Sequence, residues 1–244
     1  YLLTSILAAG GINFSVLKAI STYQKGNKEI LSIIKGALLL TFFLSLLITS
    51  IYFKSINFLS ELLSSNYVRE GMYMISPAII FFAFNKVFLQ GIINGLDRMR
   101  SYAIYQIIRY LMIFIGLITC ILLSLKAEYL PLIFVFSELF LFLFLFIDIS
   151  LNFRWWSASA WFKWSKIHFI FGFKSLLSSI FIEINTKVDL LMIGLFLSDT
   201  KVGIYSVASL FAEGFLEFII VIQTIINPKI AKLLHKKNIN DLDI

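Results

Sequence analysis

Residues 129–151 read YLPLIFVFSELFLFLFLFIDISL, a run of 23 residues whose only charged groups are Glu138 and Asp148. A helix needs about 20 mostly apolar residues to cross the ~30 Å hydrocarbon core of a bilayer, whereas a barrel strand needs only about 9–11. The run is too long for a barrel strand or an ordinary soluble helix, and it lacks the strict alternation of a barrel. It reads as a membrane-spanning helix. The same reading extends upstream to a partial stretch from Tyr1 to about Ile20, then to about Ile30–Phe53, Tyr73–Gly95 and Tyr102–Leu125. Downstream it takes in Phe169–Leu197 and Ile204–Ile226. The expected fold is all-α, a polytopic transmembrane bundle of about seven spans.

Composition agrees. Of 244 residues, 59% are apolar and only 14% charged, against about 25% charged in a soluble domain; mean hydropathy is +0.91. This excludes a disordered chain and an ordinary cytosolic enzyme. The single cysteine, Cys120, excludes a disulfide framework and a cysteine-based metal site. The net charge of +7 does not call for nucleic acid, because the chain has too few polar residues to build a hydrophilic basic face. The chain starts inside an apolar run with no charged region or cleavage site ahead of it, so the sequence looks truncated and this first run is expected to be a span rather than a signal peptide.

The connections carry the charge. Consecutive spans alternate in direction, so the loops fall into two sets. Twelve Lys and Arg residues lie in or beside Ser21–Glu29, Leu96–Ser101, Asn152–His168 and the tail from Pro228; four lie in Lys54–Gly71, Lys126–Glu128 and Ser198–Gly203. The positive-inside rule puts the first set in the cytoplasm. Pro131 opens the fifth span at a position where no backbone donor is lost. Two connections are long: Lys54–Gly71, with a short amphipathic stretch, and Asn152–His168. The latter holds Trp155, Trp156, Trp161 and Trp164 among Arg154, Lys163 and Lys166, a mixture suited to the headgroup layer.

Eleven ionisable residues remain at or within the spans: Lys35, Lys86, Arg109, Lys174, Lys187, Glu138, Asp148, Glu183, Asp189, Glu213 and Glu217. A charge at the bilayer centre costs at least ~2.5–3.5 kcal/mol, so most must face a partner charge, the bundle interior or water. Lys35 and Asp148 lie near the cytoplasmic end, where snorkelling suffices. Helical spacing groups the polar residues. Lys86, Gln90 and Asn94 follow i, i+4, i+8; Tyr102, Gln106 and Arg109 share a face; Glu183 and Lys187 are placed to pair. Asn185 and Asp189 make a second line, and Ser206, Glu213, Glu217 and Thr224 form one stripe on the seventh span. Lys86 lies roughly 15 Å from the cytoplasmic end of its span. Two arrangements satisfy these groups. One is internal ion pairs, such as Lys86 or Arg109 with Glu213 or Glu217; the other, favoured by the number of charges, is a hydrated central path. Gly91 to Gly95 is a GxxxG match that marks either close packing or a turn; Gly10-Gly11 is placed to loosen the first helix, and Pro77 to kink the third span.

Nothing points to catalysis. His168 and His235 sit in connections, and no metalloprotease, nucleophile-elbow, P-loop or metal-ligand spacing occurs, so neither cofactor nor metal is expected. Transport fits better than chemistry.

Three stretches carry a resemblance: Gln90-Gly91 through Asn94-Gly95-Leu96-Asp97-Arg98-Met99-Arg100-Ser101-Tyr102; Lys187-Val188-Asp189-Leu190-Leu191-Met192-Ile193-Gly194 with Asp199 and Val202-Gly203-Ile204-Tyr205-Ser206-Val207-Ala208; and Asn227-Pro228-Lys229-Ile230-Ala231-Lys232-Leu233. In order and spacing they resemble the Wzx-type polysaccharide (O-antigen) flippases of the multidrug/oligosaccharidyl-lipid/polysaccharide exporter superfamily. The resemblance implies two six-helix bundles around a central cavity. Residues 1–151 would be part of the first bundle, 152–168 a Trp-rich cytoplasmic-side linker, and 169–244 the start of the second bundle and a basic tail. It further implies alternating-access export of a lipid-diphosphate-linked oligosaccharide across the bacterial inner membrane. Lys86, Arg109 and Lys187, with Gln90, would line the substrate cavity; Glu183, Asp189, Glu213 and Glu217 would couple to protons or sodium. With the first span and much of the second bundle absent from the sequence, the piece alone is not expected to transport. A drug/cation antiporter of the same superfamily and a membrane-embedded glycan polymerase or transferase remain the alternatives.

Overall fold

The computed structural model describes residues 1–22, 28–62, 66–198 and 200–209, together with 212 and 215. Its described residues contain helices and no strand. The chain divides into two compact units, Tyr1–Thr186 and Lys187–Ile244.

The first unit opens with α1 (Leu2–Ala9) and α2 (Ile12–Thr22), a helix pair bent by 44° at Gly10-Gly11. Both glycines have positive φ, 57° and 66°, a conformation in which an L side chain collides with its own backbone. The loosening expected at this pair is therefore a full break. Next come α3 (Glu29–Leu62), α4 (Asn66–Lys86) and a π-helical segment, Val87–Ile93, that continues α4. Then follow α5 (Met99–Leu122) and α6 (Leu130–Asn152), the latter with a proline in its first turn as expected, and α7 (Trp161–Phe196). Among the described residues five helices are long and apolar enough to cross a membrane, or up to six candidate spans if the bent α1–α2 pair counts as one. Of the seventh expected span, residues 204–209 are helical and the rest lies almost wholly outside the described residues.

Two expectations are corrected. The long connection Lys54–Gly71 is mostly helix: α3 runs 34 residues, about 51 Å at 1.5 Å per residue. Its amphipathic end is a packing face, with Tyr52, Ile56 and Ser60 buried at i, i+4, i+8 and Tyr73 donating to Asn57 Oδ1 at 3.1 Å. Pro77 lies inside α4, which runs on as one candidate span to Ile93, and the hydrogen-bond register changes at Val87. The second correction concerns α7, which begins at Trp161, so His168 lies inside a helix rather than in a connection.

The core of the unit joins α2, α3, the π segment, α6 and Trp164, with Phe88, Ile33, Ile92 and Leu141 fully enclosed. The GxxxG pair is a packing surface: a Cβ on Gly91 would lie 3.1 Å from Val16, and one on Gly95 would lie 3.0 Å from Ile20. Small residues let the π segment and α2 approach closely.

The start of α7 is bound to α2 and α3 by polar contacts. Trp164 Nε1 donates to Glu29 Oε2 at 2.8 Å, and Ser165 Oγ donates to the Gly36 carbonyl at 2.9 Å. His168, with no exposed surface, meets Ser15 Oγ through Nδ1 at 2.8 Å and the Ile33 carbonyl through Nε2 at 3.2 Å. Lys35 Nζ donates to the carbonyls of Trp156 (2.8 Å) and Ala158 (2.9 Å), capping the turn before α7 rather than only reaching for water. Asp148 pairs with Arg98 at 3.1 Å.

Candidate functional site

Polar residues of α4, α5 and α6 meet in the interior of the first unit. Arg109 lies ten residues into α5, roughly 15 Å along it, and Glu138 lies eight residues into the antiparallel α6. They form a two-point ion pair: Arg109 Nε donates to Glu138 Oε1 at 2.9 Å and Nη2 to Oε2 at 2.7 Å. The side chains are 15% and 4% exposed. Asn85, the last residue but one of α4, donates through Nδ2 to Glu138 Oε2 at 2.8 Å and to the Glu138 carbonyl at 2.9 Å. The guanidinium also lies over the Phe82 ring, 5.0 Å from its centroid. Both charges are thus matched by geometry suited to a forked cation and a planar carboxylate. This is the internal-pair arrangement, with a different partner from the expected Glu213 or Glu217. Those two acids, like Thr224, lie outside the described residues.

Lys86 is placed differently. It is the last residue before the π segment and is half-buried. Among the described residues no carboxylate lies within 4.0 Å of its Nζ. Glu183 of α7 and Arg109 are near enough to act on it electrostatically. A π segment is a single-turn irregularity that recurs at functional sites; here it carries Gln90, whose Oε1 accepts from Asn13 Nδ2 of α2 at 2.9 Å. Asn13 Oδ1 and Asn85 Oδ1 are both buried with no partner among the described residues. On α5 the expected polar face is formed: Gln106 Nε2 donates to the Tyr102 hydroxyl at 3.2 Å.

The remaining candidates lie on or beyond the far part of α7. Glu183 belongs to the first unit and Lys187 to the second, and both are half-buried. Asp189, in the second unit, is exposed; it accepts from the Leu190 backbone N–H at 2.8 Å and from the Tyr205 hydroxyl. The structure thus brings Lys86, Arg109 and Gln90 into one unit and leaves Asp189 in a local contact of the second. No group of residues able to hold a metal occurs among the described residues.

Two pockets are apolar. One of about 400 Å³ lies between α5 and α6, lined by Met112, Gly116, Ile133 and Phe140 among others; one of about 330 Å³ lies between α3, α4 and α6, lined by Leu38, Phe81 and Trp155 among others. Neither is lined by a candidate residue.

Sequence reasoning did not choose Glu138, Asn85 or Asn13 as site residues. Arg109 and Glu138 each sit near the middle of neighbouring antiparallel spans, and that matched depth was the available signal.

No curated protein and no solved structure matches the chain. The family model described as "Polysaccharide biosynthesis protein" matches residues 1–234. The match covers nearly the whole of a multi-pass helical chain, and the chain belongs to that family of polysaccharide biosynthesis proteins, which includes the Wzx-type flippases.

Proposed function

We propose that the protein takes part in flipping a lipid-diphosphate-linked oligosaccharide across the bacterial inner membrane by alternating access, with the twelve-cation set of loops in the cytoplasm. The observation that carries the reading is Lys86. A cation at mid-span is costly unless it meets water or an anion. Arg109 has its charge offset by Glu138, whereas Lys86 has no described carboxylate in ion-pair range. An ammonium there suits a diphosphate that arrives and leaves, because it binds as a point charge without the two-point grip that holds Arg109. In this reading Arg109 keeps the site in shape and Lys86 meets the phosphate. Gln90 supplies a further polar contact, and Glu183, Asp189, Glu213 and Glu217 are the groups available to a coupling proton or sodium ion. The protein works without a cofactor and is not an enzyme.

The test uses the full-length protein in cells lacking their own flippase for the same glycan. Lys86→Ala is expected to abolish surface polysaccharide at normal membrane abundance, and Lys86→Arg to restore part of it. Normal surface polysaccharide in Lys86→Ala would overturn the assignment. If loss of Glu183 changed tolerance to cationic drugs while polysaccharide stayed normal, the protein would be a drug antiporter instead.

A further inference from the structure

The first half of α7 has two faces of opposite character. One carries Trp164, His168 and Gly172, all buried against α2 and α3. The other carries Lys163, Lys166 and Lys174, all exposed. At about 100° per residue the three lysines fall within about 80° of one another, opposite the buried line. Between them lies Ile170, 51% exposed, and beside them Phe162 and Phe173, 71% and 60% exposed. Among the described residues no carboxylate lies within 4.0 Å of any of the three ammonium groups.

We propose that this face binds a net-anionic phospholipid of the leaflet on the Trp156 side, which is the cytoplasmic leaflet in the orientation proposed above. The proposal concerns lipid binding and does not depend on the flipping activity. The argument is charge and shape together. Lys163 and Lys174 are about 16 Å apart along the helix, so the cations descend from the level of Trp164 toward the apolar part of the span. A soluble acidic partner would have no use for the aromatic and aliphatic surface between them. A phospholipid uses both: its phosphate meets the ammonium groups, and its chains lie along Phe162, Ile170 and Phe173. The long lysine stems cover apolar surface while their heads reach toward phosphate. A zwitterionic lipid brings its own cation to the same place, so the face selects lipids with net negative charge. The opposite face is fixed by the Trp164, Ser165 and His168 bonds, so the lysines are presented on a rigid support.

The experiment compares full-length protein in nanodiscs of phosphatidylcholine with a minor fraction of phosphatidylglycerol, counting retained lipids by native mass spectrometry. Wild type is expected to retain phosphatidylglycerol over phosphatidylcholine, and millimolar inorganic phosphate should not displace it. The triple variant Lys163→Gln/Lys166→Gln/Lys174→Gln should lose retention at least about fivefold. The triple Lys→Arg variant should keep it, and Lys166→Glu alone should give a partial loss should the triple variant fold poorly. Lys54→Gln/Lys126→Gln, which removes exposed cations elsewhere, should change nothing. Wild-type retention by the triple glutamine variant, equal retention of the two lipids, or an equal loss in the Lys54/Lys126 control would each overturn the proposal.

Discussion

Arg109 of α5 and Glu138 of α6 hold each other by two parallel hydrogen bonds inside the bundle, with Asn85 of α4 as a third contact. Three helices therefore depend on one carboxylate. Removing one member of a buried pair strands the other charge and costs about 3–5 kcal/mol. Arg109→Ala and Glu138→Ala should both lower the thermal unfolding midpoint and the membrane abundance of the full-length protein. Replacing the pair by Arg109→Met/Glu138→Leu should recover most of the loss, since apolar groups of similar size leave no charge unpaired. Wild-type abundance in Arg109→Ala would mean that the pair contributes little to stability. A loss of polysaccharide in Arg109→Ala is thus expected to follow protein level, in contrast to Lys86→Ala.

Gly11 and Gly172 touch through their backbones. A Cβ on Gly11 would lie 2.3 Å from the Gly172 carbonyl oxygen, and a Cβ on Gly172 would lie 2.5 Å from the Gly10 carbonyl oxygen. Neither obstacle is a side chain that can swing away. Gly11 has the added cost of a left-handed conformation, about 1–2 kcal/mol for an L residue. Gly11→Ala and Gly172→Ala should each destabilise severely, whereas Gly203→Ala, whose added Cβ meets nothing within 4 Å among the described residues, should not. The comparison of midpoints for the three variants checks this.

Gly91 offers a graded case. Its added Cβ would meet the Val16 side chain at 3.1 Å and the Asn13 carbonyl at 3.2 Å, close but not overlapping. Gly91→Ala should cost about 1 kcal/mol and Gly91→Leu considerably more, in the range of overpacked cores. Val16→Ala should relieve part of the leucine penalty. The absence of that rescue would place the strain elsewhere.

The spans were legible because bilayer thickness sets a length that few soluble helices reach: α5 and α6 begin and end within three residues of the expected limits. Gly10-Gly11 and the Gly91–Gly95 pair were legible because glycine has few other uses inside a helix. The partner of Arg109 was not. Helical spacing tells which face a residue occupies but not which neighbour that face meets, and mid-depth carboxylates occur on several spans. The helix through Lys54–Leu62 was missed because its mean apolarity falls while one face, Tyr52-Ile56-Ser60, still packs. His168 was placed in a connection because the tryptophans and lysines around it resemble a headgroup segment. That composition belongs to one side of α7, and the other side is interior. The π segment left no mark in the sequence at all: Lys86, Gln90 and Asn94 are spaced as an ordinary helix would space them.

Ser15 and His168 supply a sharper test of how α7 is attached. The Ile33 carbonyl can only accept, so His168 Nε2 carries the proton toward it. In the neutral ring Nδ1 then accepts from the Ser15 hydroxyl, and both nitrogens are satisfied without exposed surface. Ser15→Ala leaves Nδ1 without a donor, at a cost of about 1–3 kcal/mol. His168→Leu leaves both the Ser15 hydroxyl and the Ile33 carbonyl without that partner, and should cost at least as much. Because the two changes remove the same bond, the double variant should be less destabilised than the sum of the singles, by about 0.5–3 kcal/mol. Thermal unfolding of the four full-length proteins measures that coupling. Strict additivity would mean that the two side chains are neighbours without being bonded, and that the side-chain hydrogen bonds of α7 to α3 through Trp164 and Ser165 hold without them.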